Sequence, residues 1–184
     1  MKINNNIEKV NHLKKLYYYF NNQREYLLQI QNKDGQFSKR YSCEPIVFDS
    51  ENKINNKWWI SRFNARTILD SEIVLDFDTD EKRKTKQDLF KYIYKYVIPY
   101  LKWYKNRFHT DSISLWDTTS NGYHIHIFNT MLIGNKMSKK RKVRINMINK
   151  FNCDTQKISE NVTIALEYSK HWKTGKEKYK VMDI

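Results

Sequence analysis

Apolar positions recur at helical spacing near the start of the chain, where Val10, Leu13, Leu16, Tyr17 and Phe20 fall on one face, so residues 8–20 are expected to form an amphipathic helix. The segment REYLLQIQNKDGQFSKRYS reads as a β-hairpin turned at Asp34-Gly35, and the Lys- and Asn-rich residues 50–57 read as a loop. Between Ser71 and Thr79 the apolar run Ile73, Val74, Leu75 and Phe77 has the length of a buried strand and ends in acids. Residues 84–104 carry Leu89, Ile93, Val97, Leu101 and Tyr104 about one helical turn apart, which predicts a helix kinked at Pro99. Two short strands, Ser112–Trp116 and Tyr123–Phe128, flank the polar turn Asp117–Gly122 and predict a second hairpin. Residues 136–150, centred on KKRKVR, predict a basic amphipathic helix with Val143, Met147 and Ile148 inward. A strand at Val162–Leu166, the loop SKHWKTGK and a last strand near Tyr179–Met182 complete the chain. Hairpins interleaved with helices define an α+β class, with mixed or antiparallel sheets flanked by helices.

A length of 184 residues, 40% hydrophobic and 15% aromatic, suits one compact domain with a real core. The 34 Lys and Arg against 20 Asp and Glu leave a net charge of +14, which favours a polyanionic partner, nucleic acid or nucleotide, through counterion release. Lys-rich faces also serve simply as solvated surface, so the charge supports other signs and decides nothing alone. Cys43 and Cys153 are the only cysteines and stand far apart, which indicates neither a disulfide framework nor a structural zinc site, and zinc is not expected. With no signal-peptide core and no bilayer-length apolar run, the expectation is a cytoplasmic protein without a membrane partner.

Strand alternation sends Asp76 and Asp78 to one face, opposite Leu75 and Phe77, at a separation of about 7 Å. Unpaired anions on a buried strand are costly, and all-oxygen ligands suit Mg²⁺ or Mn²⁺. His124 and His126 share a face in the same way, with Gly122 before them permitting close approach of another chain segment. His126 reads as structural. His124 suits a triphosphate or a metal shell, with Thr119, Ser120 and backbone amides available to cradle phosphate. Ser169, His171 and Lys173 lie in a basic, hydroxyl-bearing loop whose chemistry suits phosphates or a template backbone, and Arg24 and Arg40 are further anion-binding candidates.

In order, these pieces resemble the catalytic core of the archaeo-eukaryotic primases, especially their small catalytic subunit. IVLDFDTD looks like the first motif, TTSNGYHIHIF like the second, and DTQKISENVTIALEYSKHWKTGKEKYKVMDI like the third-motif region, with Ser-x-His-x-Lys-Thr-Gly after an Asp. Arg24-Glu25-Tyr26 and the later Arg40-Tyr41 resemble the family's Arg-Glu-aromatic segment and the Arg-Tyr after it. The match runs from about Tyr17 to the C-terminus. It implies an RRM-like catalytic half and an N-terminal α/β half within one minimal domain, residues 1–184, without the family's zinc-binding module. It also makes Asp154 the third carboxylate, which the residues alone do not prefer to Glu160 or Glu167. On the resemblance, Asp76, Asp78 and Asp154 hold two divalent ions, while His124, His171, Lys173 and Arg24 bind phosphates. The implied activity is template-directed transfer from NTP or dNTP on single-stranded DNA, with a primase large subunit or a helicase as a further partner. The basic helix around Lys139–Arg144 would track template phosphates. Ser120 and Asn121 stand where the family often carries Arg, and the chain stops just after the last strand, as a minimal protein or a piece of a longer one would.

Two other readings compete. His124-Ile125-His126 also matches the His-hydrophobic-His motif of rolling-circle nicking endonucleases, which need a helical nucleophilic Tyr; after His126 only Tyr168 and Tyr179 remain, both in expected strand or loop. The other is a noncatalytic primase-like nucleic-acid-binding module.

Overall fold

The computed structural model describes residues 5–19, 26–48, 60–133, 135–159 and 162–184. The Lys- and Asn-rich loop, Phe20 and Arg24 lie outside these. The chain forms two compact units, one of residues up to Leu69 with Thr163–Tyr179, the other of Asp70–Val162 with Lys180–Ile184. Each has its own four-stranded sheet with helices beside it, so the class is α+β, as the hairpins predicted.

In the first unit, α1 (Asn5–Tyr19) buries Leu13 and Leu16. Strand β1 (Leu27–Gln29) pairs antiparallel with β2 (Tyr41–Ser42), and Asp34-Gly35 makes the turn between them. Gly35 sits at φ +87° and donates to the Asn32 carbonyl at 2.9 Å, a conformation that favours glycine. The short α2 (Cys43–Phe48) follows directly and buries Cys43 and Val47. Strands β3 (Ala65–Thr67) and β7 (Thr163–Ala165) complete the sheet in the order β2-β1-β3-β7. Arg66, on the central β3, is fully buried because Glu167 accepts from Nε at 2.9 Å and from Nη2 at 2.7 Å.

The second unit is the part read most directly from the sequence. Strand β4 (Glu72–Asp78) is followed by α3 (Lys86–Tyr92), a π-helical turn (Ile93–Val97) and α4 (Ile98–Phe108). Thr85 caps α3, its side chain accepting from the Asp88 amide. The helix widens just before Pro99, where an α-helical turn would drive the proline ring into the Lys95 carbonyl. Strands β5 (Ser112–Asp117) and β6 (Gly122–Phe128) form the second hairpin, and β8 (Tyr179–Asp183) closes the order β4-β6-β5-β8. Ile73, Leu75, Phe77, Ile113, Leu115, Ile125 and Ile127 face the same core as Leu89, Ile93, Val97 and Leu101, and each such burial stabilises by about 1.5–3 kcal/mol. Helix α5 (Met137–Phe151) adds Met147, Ile148 and Phe151. Its basic stripe is less exposed than the sequence implies: Lys140 donates to Asp70 at 2.7 Å and Arg144 to the Glu72 carbonyl at 3.1 Å, so Lys139, Arg141 and Lys142 alone of that run's cations stay exposed. Among the described residues no helix is long and apolar enough to cross a membrane.

Candidate functional site

The antiparallel register of β4 and β6 sets Asp76 opposite His124 and Asp78 opposite Gly122. Leu75 and Phe77 point into the core, so both acids fall on the other face, with Asp76 half-buried and Asp78 exposed at the strand end. Gly122 is required there: a Cβ would overlap the Phe77 carbonyl oxygen and crowd the Asp78 carboxylate. Asp154 arrives from α5. That helix ends with Asn152 in the left-handed region at φ +51°, which turns Cys153 into the core and sends Asp154 back toward β4. Its amide donates to the Asp76 carbonyl at 3.1 Å, fixing the third acid beside the first. The chain then enters a 3₁₀ turn, Thr155–Ile158, whose Gln156 amide is capped by the Asp154 carboxylate at 2.9 Å.

Two nitrogen-bearing side chains meet these acids. His124 Nε2 lies 3.2 Å from Asp76 Oδ1, and Lys157 Nζ lies 3.3 Å from Asp76 Oδ2 and 3.3 Å from Asp154 Oδ2. Burial by itself raises the Asp76 carboxyl, but His124 and Lys157 outweigh it and hold the group well below the usual carboxylate range. Asp78 goes the other way: burial first, then the adjacent Asp76 charge, push it up. The two acids thus differ because His124 and Lys157 favour the charged form of Asp76, while Asp78 has burial and a neighbouring negative charge against it. Lys157 occupies the point between Asp76 and Asp154 that a cation would take, so the donor set, all carboxylate oxygen with an ammonium already drawn to it, fits a hard divalent ion. His126 does a different job, fully buried with Nδ1 2.6 Å from Glu72 Oε1, itself fully buried. Lys157 and Glu72 were not singled out in the sequence; the Asp154-x-x-Lys157 spacing was the available signal for the first.

Beside Gly122 is the turn that joins the two strands. Thr119, at φ +60°, donates its amide to Asp117 Oδ1 at 2.6 Å and its hydroxyl to the Thr118 carbonyl at 2.7 Å. The Ser120 carbonyl accepts from Lys86 Nζ at 3.1 Å, and the same ammonium pairs with Asp117 and lies over the Tyr123 ring at 5.1 Å. The turn is thus braced from within, and Lys86, at the start of α3, places a cation against it.

No protein-family model matches the chain, and neither does any curated protein. Solved structures do. The crystal structure of the catalytic domain of primase RepB′ in complex with initiator DNA aligns over 95% of this chain and 84% of its own, with a TM-score of 0.56 at 8% identity. The crystal structure of primase RepB′ aligns over 96% of this chain and 55% of its own, with a TM-score of 0.52 at 9% identity. The fold is primase-like. At such identity the likeness speaks for the arrangement of elements and leaves residue roles to be argued from the geometry.

Within this primase-like fold, Asp76, Asp78, Asp154 and His124 come together in the second unit, with Thr119 and Ser120 in the adjoining turn. Arg40, Ser169, His171 and Lys173 belong to the first unit. Arg40 and Lys173 are exposed there. Ser169 is buried, its hydroxyl donating to the Leu166 carbonyl. His171 Nδ1 accepts from the Lys173 amide at 3.3 Å and the Thr174 amide at 3.4 Å, so the ring shapes the loop that Gly175 closes at φ +66°. Tyr168 lies in a turn and Tyr179 heads β8, neither on a helix.

Proposed function

We propose that this chain is a DNA primase-polymerase of the archaeo-eukaryotic kind, transferring nucleotides from NTP or dNTP to a 3′-hydroxyl on a single-stranded DNA template. The observation that carries the reading is the convergence of Asp76 and Asp154 on one cation position, with Asp78 beside Asp76 at the strand end, in a primase-like fold. These carboxylates would hold two divalent ions, Mg²⁺ or Mn²⁺, which when bound lower the pKa of the attacking hydroxyl and neutralise the triphosphate. His124, with a proton on Nε2, donates to Asp76 and keeps that carboxylate ionised and aimed. Gly122 keeps the β6 backbone low enough for Asp78 to sit at the strand end. Lys86 supports the turn bearing Thr119 and Ser120, which are the proposed phosphate-binding groups of this unit, while Arg24 and, in the first unit, Arg40, His171 and Lys173 are separate anion-binding candidates. The reaction would run inside the cell on replicating DNA, with a primase large subunit or a helicase as partner.

The test is incubation of the chain with a single-stranded DNA template, Mn²⁺ or Mg²⁺ and labelled nucleotides, with and without a primer, beside Asp76→Asn. Metal-dependent products are expected, reduced to background in the variant while DNA binding persists. Synthesis that survives the substitution would overturn the site. Template nicking with a covalent tyrosyl-DNA adduct would replace the reading with the nicking endonuclease.

A further inference from the structure

A row of aromatic rings follows the helical segment made by α3, the π-helical turn and α4. Tyr92, Tyr96 and Tyr100 are four residues apart, one ring per turn at a rise of about 6 Å. Together with Lys150 and Phe151 of α5 they line an open groove of about 390 Å³. Tyr92 and Phe151 also line a groove of about 610 Å³ with Asp80, Glu81, Lys82 and Arg83, where Arg83 pairs with Asp80, so the two join into one trough whose cations beyond that pair are Lys82 and Lys150. It begins at Asp80, two residues past Asp78.

Two features select the occupant. The middle ring is open to water, with Tyr96 at 55% exposure, and Tyr92 and Tyr100 on either side of it are half-buried. Each groove tyrosine also has a cation over it: Arg83 lies 4.6 Å from the Tyr92 centroid, Lys95 5.2 Å from Tyr96 and Lys150 4.4 Å from Tyr100. A protein-binding face concentrates apolar area and sheds charge at its centre, whereas alternating flat rings and cations match bases and phosphates. A net charge of +14 adds long-range attraction for the same partner.

We infer that this trough holds single-stranded nucleic acid, bases stacking on Tyr96 and its neighbours and phosphates meeting Lys95 and Lys150, while Arg83, held by Asp80, braces the Tyr92 ring. That the strand is the template entering beside Asp78 rests on the primase reading; the binding itself does not.

Binding of a short labelled oligo(dT), and of an abasic oligonucleotide of equal length, is measured by fluorescence anisotropy over a salt series. The full chain is compared with Tyr96→Ala, Lys150→Glu and, as a control in the first unit, Phe37→Ala. Tyr96→Ala is expected to weaken oligo(dT) binding about tenfold and to leave abasic binding within about twofold, because only stacking is removed. Lys150→Glu is expected to weaken both and to reduce the salt slope by at least about one, and Phe37→Ala to change neither. Oligo(dT) binding unchanged in Tyr96→Ala, or both ligands lost alike, overturns the inference. A wild-type chain that binds no single strand sinks the inference and the primase reading together. Stacking-dependent binding without nucleotide transfer leaves the trough standing and removes only the primase reading.

Discussion

Lys157 gives the candidate metal site its sharpest test, because the ammonium and a divalent ion compete for the same oxygens. At 3.3 Å from a carboxylate oxygen of Asp76 and of Asp154, each attraction is about 5 kcal/mol at an effective dielectric of about 20. Desolvation of the ammonium offsets most of this, leaving a net hold of about 1–3 kcal/mol. Lys157→Met keeps the aliphatic stem and removes the charge. An incoming ion then has no cation to displace, and Mn²⁺ binding should tighten about tenfold, with a range set by that net hold. Without metal the three carboxylates repel one another unrelieved, so the variant should melt a few degrees lower and recover more than the wild type when Mn²⁺ is added. Calorimetric titration with Mn²⁺ and thermal melts with and without the ion read both effects. Unchanged or weaker Mn²⁺ binding in Lys157→Met refutes the idea that the acids form one cation locus.

Lys9 predicts a pH dependence of folding: it is buried, donates to the Phe63 carbonyl, and burial lowers its pKa from 10.5 to about 7, opposed in part by Glu177. Between those values the unfolded chain holds a proton that the folded chain lacks, so stability should rise by about 2 kcal/mol from pH 7 to pH 9 in urea titrations, and Lys9→Met should flatten that slope. Gly122→Ala should cost about 1–3 kcal/mol, because the new methyl meets the Phe77 carbonyl, and should depress Mn²⁺ binding along with stability; a variant as stable as the wild type would mean that β4 and β6 do not approach so closely.

How far the sequence could be read depended on the range of the interactions involved. The core of the second unit was legible because its signals are local: the apolar run from Ile73 to Phe77, the repeat of Leu89, Ile93, Val97 and Leu101, and a polar turn between two short strands. Strand β3, three residues long, has no period to detect, and its Arg66 argues against a buried strand until Glu167, 101 residues later, supplies the carboxylate. Lys140 and Arg144 fail for the same reason: in a run of basic residues nothing marks the ones that Asp70 and the Glu72 carbonyl will draw inward. Asp76 and Asp78 needed only alternation, whereas Asp154 depends on the turn after α5 and a backbone bond to Asp76, geometry that residue spacing does not encode. The expected kink at Pro99 is met by a π-helical turn in front of it, which preserves the helix and with it the row of tyrosines.

The charge distribution unites these features. In a chain of net +14, three carboxylates gathered at one strand end make a local negative island, and its flanking groups, the His124 ring and the Lys157 ammonium, both lean on Asp76. A polyanion approaching such a molecule is drawn by the whole surface but repelled at the island itself, until the island is neutralised. Divalent ions held there would reverse the local sign, making the point of greatest repulsion the point of greatest attraction for a triphosphate. Nucleic-acid binding and metal binding should therefore respond differently to salt. The first falls steeply as monovalent ions replace the many surface cations, while the second, set by short carboxylate contacts in a half-buried site, falls little. A preparation in which both decline together with salt would place the metal on the exposed surface and leave Asp76, Asp78 and Asp154 as structural acids.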